Sequence, residues 1–359
     1  MPTLQVITMG CSKNTVDTEH LLFQVQNAYE IVPETEERPF VDVLAVNTCG
    51  FIGDAKEESI HTILAAAQRK KDGAVGRLVV FGCLSQRYMA ELPDLIPEVD
   101  GWFGARDLDP LVRALGCMPD PAQAHRRVLT SGRRPYAFFK ISEGCNRRCS
   151  YCAIPFIRGA HRSVPMEVLV REAQDLAAQG IRELVIIAQD TTYYGLDLYG
   201  RRCLAELLRK LSAVEGIEWL RIHYSYPADF PEDVLEEMAA NPKVCRYMDI
   251  PLQHISDKVL ENMHRGVDPG AHCAHAAAGA GRGAPDHPDC GTSRGGRCGV
   301  PGTGGLCKGG PFPADGGIHL LGGRGDVRRG APEGQRGAGH QEKAAGPAHG
   351  GATWHIPCI

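Results

Sequence analysis

Three short apolar runs constrain the first hundred residues more than any other feature of the chain: LQVIT from Leu4, VDVLAVN from Val41 and RLVVF from Arg77. Uninterrupted apolar runs of this length read as strands buried on both faces. A helix signal follows each one. The clearest begins at Asp54, where Glu57 completes a capping-box-like pair and Ile60, Ile63, Leu64 and Ala67 share one apolar face. Ser85 is placed to cap the third helix and Pro93 to end it. Strand-then-helix order, repeated, predicts a Rossmann-like parallel sheet with helices on its faces over residues 1–117.

Residues 118–134 lack apolar periodicity and hold several breakers, which reads as a linker. A second α/β domain is expected over 135–267. YAFFKIS from Tyr136, ELVIIA from Glu183, WLRIH from Trp219 and YMDI from Tyr247 read as its strands. Between the first two, Leu169, Ala173, Leu176 and Ala177 form a helical face that stops at Gly180. Four strand-helix units in succession predict a partial (β/α) barrel. The pattern then breaks off. Residues 271–359 hold 24 of the 42 glycines and no tyrosine, so 268–359 read as a disordered tail, with no strand or helix expected. A run of Gly, Ala, Arg, Pro and His is also what a GC-rich gene yields in a shifted frame, and out-of-frame sequence is the reading adopted for this tail.

Length and charge exclude several classes of protein. At 359 residues the chain has room for two domains. No apolar run approaches membrane-spanning length, and the start MPTLQVITMG lacks a charged n-region followed by an apolar h-region, so a cytoplasmic protein is expected. The net charge of -4 argues against a nucleic-acid coat. Fourteen cysteines in a reducing compartment point to metal ligands or catalytic groups rather than crosslinks.

The densest cysteine group is KISEGCNRRCSYC, with Cys145, Cys149 and Cys152 on one loop after a predicted strand. Three thiolates can hold three irons of a cubane cluster and leave the fourth open to chemistry; soft sulfur donors suit such clusters. A zinc site completed by a distant fourth ligand is the bland alternative. Cys11, Cys49 and Cys83, in MGC, NTCG and FGC, each follow one of the three N-terminal strands. In a parallel sheet those positions converge on the carboxyl edge, where open α/β folds bind ligands. Gly10, Gly50 and Gly82 would let the backbone approach a bulky group. Singly, each cysteine is better read as a buried small hydrophobe; three in register favour a second site. Cys117, Cys203 and Cys245 read as packing residues.

The Cys-x3-Cys-x2-Cys spacing, with Tyr151 before the last cysteine, resembles the signature of the radical S-adenosylmethionine enzymes. GCSKNTVDTE, NTCGFI, GCLSQRY, KISEGCNRRCSYCAIPFIRGAHRS, AQDTTYYG and IPLQHISDKVLENMHRG together resemble the methylthiotransferases of that superfamily over about residues 4–267. The resemblance implies two four-iron clusters, on Cys11, Cys49 and Cys83 and on Cys145, Cys149 and Cys152. It implies S-adenosylmethionine as methyl donor and as radical source, with Tyr151, Gln189 and Asp190 near it. It further implies a flavodoxin- or ferredoxin-type electron donor, and as substrate an aspartate of a small-subunit ribosomal protein, protein twelve. The alternatives are an adenosine of transfer RNA and a non-catalytic metal-cluster protein. Gln253 and His254 read as loop residues, with His254 hydrogen-bonded, and Arg158 and Arg162 as solvated loop residues that could meet carboxylate or phosphate. Two further strand-helix units and a C-terminal β domain, which the resemblance also implies, have no counterpart in the sequence after residue 267.

Overall fold

Strand β1 (Thr3–Thr8) leads into α1 (Ser12–Val25), followed by β2 (Glu30–Val32), β3 (Val41–Thr48), α2 (Gly53–Lys71), β4 (Val75–Gly82), α3 (Cys83–Arg87), α4 (Leu92–Leu95), β5 (Gly101–Trp102) and α5 (Asp109–Ala114). The structure is a computed structural model. It describes residues 1–265, apart from Ser131, Arg133, Asp229 and Ile255, together with 318–321. The five strands pair in parallel in the order β2-β1-β3-β4-β5. Successive side chains of β3 point to opposite faces, so Leu44 and Val46 pack with Ile63, Ala66 and Leu78 on the α2 side. Val43 and Ala45 pack with Leu4, Leu21, Val79 and Leu111 on the other. Burial on both sides is why these strands are apolar without alternation.

Three local expectations are corrected. Helix α2 starts after Ile52 with no side-chain cap, so Asp54 lies inside its first turn. Its buried stripe is Ser59, Ile63, Ala66 and Ala67, while Leu64 is exposed. Ser85 is buried within α3, and Pro93 opens α4 instead of ending a helix, because a proline lacks only an N–H that the first turn leaves unbonded anyway.

The second half runs β6 (Tyr136–Lys140), β7 (Ser142–Glu143), α6 (Ile154–Arg158), β8 (Arg162–Ser163), α7 (Met166–Ala178), β9 (Glu183–Ile187), α8 (Leu196–Tyr199), α9 (Leu204–Ser212), β10 (Trp219–Ile222), α10 (Glu232–Ala240), β11 (Tyr247–Ile250) and α11 (Asp257–Asn262). Strands β6, β9 and β10 form a parallel sheet, and one bridge, Leu220 to Val244, carries the order toward β11. The outer face, with Phe139, Leu184, Ile186 and Ile222, packs on α7 and α9. On the inner face, Val185 and Ile187 meet Val16 of α1. Helix α1 is therefore shared by both sheets.

The linker is more ordered than its composition suggests. Pro121–Gln123 form a 3-10 turn capped by Asp120, and buried Arg127 reaches Glu19 on α1 at 3.3 Å and Glu172 on α7 at 3.1 Å. The expectation of an unstructured tail is corrected in one place: β12 (Ile318–Leu321) pairs antiparallel with β11. The rest of the tail, including the boundary near 268 and all of the separate unit Arg324–Ile359, lies outside the described residues.

Candidate metal centres

Cys11 ends the turn after β1, Cys49 follows β3 and Cys83 opens α3 directly after β4. Parallel pairing brings these three ends to one edge. The glycines beside them interlock the turns. A Cβ on Gly10, where φ is +88°, would lie 2.6 Å from Cβ of Cys49; one on Gly50 would lie 2.7 Å from the Leu84 backbone; and one on Gly82, φ +102°, would lie 2.6 Å from the Thr48 carbonyl. Only glycine permits this approach. Cys11 is exposed, Cys49 half-buried and Cys83 buried. Burial pushes the Cys83 thiol up to about 11 and raises that of Cys49, so ligation must expel protons there.

Cys145, Cys149 and Cys152 lie on the loop between β7 and α6, past the C-terminal end of β6. Gly144, φ +80°, would place a Cβ 2.2 Å from the Ala160 carbonyl, and the Cys145 amide donates to Gly159 at 3.0 Å. Ser150 donates to the carbonyls of Asn262 and Met263. Arg265 donates to the hydroxyl of Tyr151 at 3.2 Å, and Arg265 and Arg147 both lie over the ring of Tyr226. Burial pushes Cys145 up to about 11 and Tyr151 up to about 12.

Between the triads lies a buried polar seam. Arg158 is 2 % exposed, which corrects its reading as a solvated loop residue. It donates from Nε to Sγ of Cys83 at 3.2 Å, from Nη1 to Asp17 at 2.6 Å and Glu143 at 3.1 Å, and from Nη2 to Asn14 at 2.5 Å. Lys140 pairs with Asp17 and, at 2.8 Å, with Glu143. Gln189 donates to Glu143 at 2.6 Å, and its own Oε1 is buried and unpaired among the described residues. Asp190 caps Thr191–Tyr193 and accepts from Arg147 at 2.9 Å. Lys13 lies under Tyr224, its ammonium lowered by burial to about 8. An open cavity of about 540 Å³ beside Arg158 is lined by Arg106, Asp107 and Arg162. His254 accepts from the Ser256 amide at 2.9 Å, a local turn contact as expected. Cys203 is buried in the second core, whereas Cys117 and Cys245 are half-buried.

Sequence reasoning missed Lys13, Asn14, Asp17, Glu143 and Arg147. The available signal was on α1, where 13, 14 and 17 share a helix face directly after a cysteine.

The donor set fits an iron-sulfur cluster better than a lone ion. Tetrahedral zinc, at about 2.3 Å from each sulfur, draws its ligands to within about 4 Å of one another. Among the described residues no three His, Cys, Asp or Glu side chains, those of either triad included, are placed to hold a single metal ion. A cubane spreads three thiolates over three irons and does not need them to converge on one ion.

Two family models match the chain: UPF0004, an uncharacterized protein family, over residues 3–104, and the radical SAM superfamily over 139–274. The chain belongs to the radical S-adenosylmethionine superfamily, which carries S-adenosylmethionine and a four-iron cluster. Within it, the chain falls in the RimO-like family. It is 52 % identical over 265 residues to the ribosomal protein uS12 methylthiotransferase RimO of Flavobacterium johnsoniae, covering 74 % of this chain and 60 % of that protein. It is 51 % identical over 264 residues to the RimO of Porphyromonas gingivalis strain ATCC 33277, covering 74 % and 61 %. The chain thus spans about 60 % of the length of the curated relatives it matches. In fold it is similar to the cobalamin-dependent S-adenosylmethionine radical enzyme OxsB (TM-score 0.57, 11 % identity, 78 % of this chain and 48 % of that one). It is also similar to the radical S-adenosylmethionine methyltransferase TsrM of Kitasatospora setae (TM-score 0.51, 14 % identity, 77 % and 65 %).

Proposed function

We propose that this chain is a methylthiotransferase that places a methylthio group on an aspartate of ribosomal protein uS12. The observation that carries the reading is the seam itself: two cysteine triads, one from each sheet, are tied together by Arg158 through Cys83, Asp17 and Glu143. A reaction that makes a radical at one place and delivers sulfur at another needs two such sites held in fixed relation.

In this reading Cys145, Cys149 and Cys152 hold the cluster of the radical chemistry, and Cys11, Cys49 and Cys83 hold a second four-iron cluster. When bound, a cluster on Cys145, Cys149 and Cys152 would supply the electron that opens the sulfonium of S-adenosylmethionine, and one on Cys11, Cys49 and Cys83 would carry sulfide-level sulfur that takes its methyl group from a second S-adenosylmethionine. In the net change the substrate carbon would lose one hydrogen atom, carried off in 5′-deoxyadenosine, and gain CH3S, and the electron released as the carbon–sulfur bond forms would return to a cluster. An inert C–H bond offers no acid or electrophile to polar catalysis.

The chain's own groups bind and orient. The open Oε1 of Gln189 is an acceptor suited to the amino group of S-adenosylmethionine. Asp190 braces Arg147, and Tyr151 closes the loop with Arg265. Packing of α1 on the inner face of the second sheet excludes water. The electron donor is of flavodoxin or ferredoxin type, and a ribosomal substrate places the reaction in the cytoplasm. Among the described residues no helix is long and apolar enough to cross a membrane. The reading extends to the tail, where residues from about 268 are out of frame; sequencing the gene for a shifted frame that restores strand-helix order tests this.

The deciding experiment is intact mass of uS12 after incubation under reducing, oxygen-free conditions with S-adenosylmethionine and sulfide, using this chain and a frame-restored one. A gain of CH3S in place of one hydrogen is expected. Unmodified uS12 from both chains defeats the substrate assignment.

A further inference from the structure

Helix α1 turns Lys13, Asn14, Asp17 and Glu19 into the protein, and the last three have evident partners. Asn14 and Asp17 hold Arg158, and Glu19 meets Arg127. Lys13 differs. It is 7 % exposed, and its Nζ lies 3.0 Å from the centroid of the Tyr224 ring.

The acidic groups nearest the seam are committed elsewhere. Glu143 accepts from Gln189 and Gly144 on one oxygen and from Lys140 and Arg158 on the other. Asp17 is taken by Lys140 and Arg158. Asp249 accepts from the Tyr224 amide at 3.1 Å and faces His223 at 3.7 Å. Asp17 and Glu143 pair directly with Lys140 and Arg158. Among the described residues Lys13 has no carboxylate in ion-pair reach, and its charge is offset only at longer range, by Cys11, Glu143 and Asp249. A ring face returns only part of what an ammonium loses on leaving water.

The ring is held in place at a cost. Tyr224 sits at φ +59°, a conformation that side chains other than glycine rarely take. The Tyr224 amide on Asp249 and its carbonyl, which accepts from Thr191 at 3.1 Å, fix it there. Backbone strain that the surroundings over-determine gathers at ligand sites. A buried cation with no carboxylate in direct contact, under a strained ring and two residues from Cys11, is a preset receptor for an anion.

We propose that Lys13 is the carboxylate receptor of the site: it takes the side-chain carboxylate of the residue to be modified and so sets the adjacent carbon beside the Cys11 triad. This rests on the methylthiotransferase reading. The carboxylate of S-adenosylmethionine is the other source of the same chemistry, but the open Gln189 acceptor and Arg147 stand at the other triad, which favours the substrate.

The test compares the affinity of the reconstituted chain for uS12 with its affinity for uS12 carrying asparagine at the aspartate that gains CH3S. Wild type is expected to prefer the aspartate form by about tenfold or more, as for a lost charge-assisted contact. Lys13→Met should bring that ratio to about one, and Lys13→Arg, which keeps the charge, should retain a preference. A ratio that persists in Lys13→Met, vanishes in Lys13→Arg or is absent in wild type overturns the proposal, the last even where uS12 is modified. Equilibrium dialysis with S-adenosylmethionine supplies the other arm: weakened cofactor binding in Lys13→Met with the uS12 ratio intact assigns the lysine to the cofactor and also overturns it. Unmodified uS12 with wild type is instead the failure of the methylthiotransferase reading, and this proposal falls with it.

Discussion

Arg158 does two jobs at once, donating to a sulfur of one triad and compensating two buried carboxylates of the seam. Arg158→Gln removes the charge and leaves Asp17 and Glu143 with Lys140 alone. A loss of about 3–5 kcal/mol is expected in urea unfolding of the metal-free chain. Arg158→Lys should recover only part of it, because an ammonium cannot reproduce the guanidinium fork. Glycines offer a controlled comparison at the same scale. Gly73 has φ +76° with nothing within 4 Å of an added Cβ, so Gly73→Ala should cost about 1 kcal/mol and leave iron content unchanged. Gly144 has a similar φ, +80°, but its Cβ would meet the Ala160 carbonyl at 2.2 Å. Gly144→Ala should therefore displace the Cys145 loop, and iron analysis should show about half the metal lost.

Arg127 joins elements that are far apart in sequence, pairing Glu19 of α1 and Glu172 of α7 from inside the linker. Two acids share one guanidinium. Burial raises the carboxyl of Glu19, and it pushes Glu172 from its ordinary 4.5 up to about 7 against the pull of Arg127. A carboxyl whose folded pKa is raised binds its proton more tightly in the folded chain. Its contribution is therefore full below about pH 4.5 and lost as pH rises through about 7. Glu172→Gln should flatten that window, removing a difference on the order of 2–3 kcal/mol between pH 5 and pH 8, as read by denaturant midpoints at each pH. A wild-type curve that rises over this range would show that Arg127 governs Glu172 instead.

Across the whole molecule, two triads on two sheets predict two clusters and about eight irons per reconstituted chain. Replacing Cys145, Cys149 and Cys152 with alanine should leave about four irons and abolish cleavage of S-adenosylmethionine. Replacing Cys11, Cys49 and Cys83 should also leave about four, yet preserve cleavage while ending methylthio transfer. Equal loss of cleavage in both variants would sink the division of labour.

The strands and the convergence of Cys11, Cys49 and Cys83 were legible in the sequence because they depend on local rules. An apolar run without alternation means burial on two faces, and equivalent positions after parallel strands must share an edge. The loop of Cys145, Cys149 and Cys152 was legible for the same reason, since its spacing lies within one turn of chain. The role of α1 was not legible. Nothing in the local apolar pattern singles out Lys13, Asn14, Asp17 and Glu19 before the second sheet closes over them, and Arg158 and Arg127 find their partners 141 and 108 positions away. Pattern along a chain reports which residues leave water, but buried charges are paired by groups distant in sequence, and only the tertiary arrangement decides which of them meet and which, like Lys13, are buried with no carboxylate in ion-pair reach.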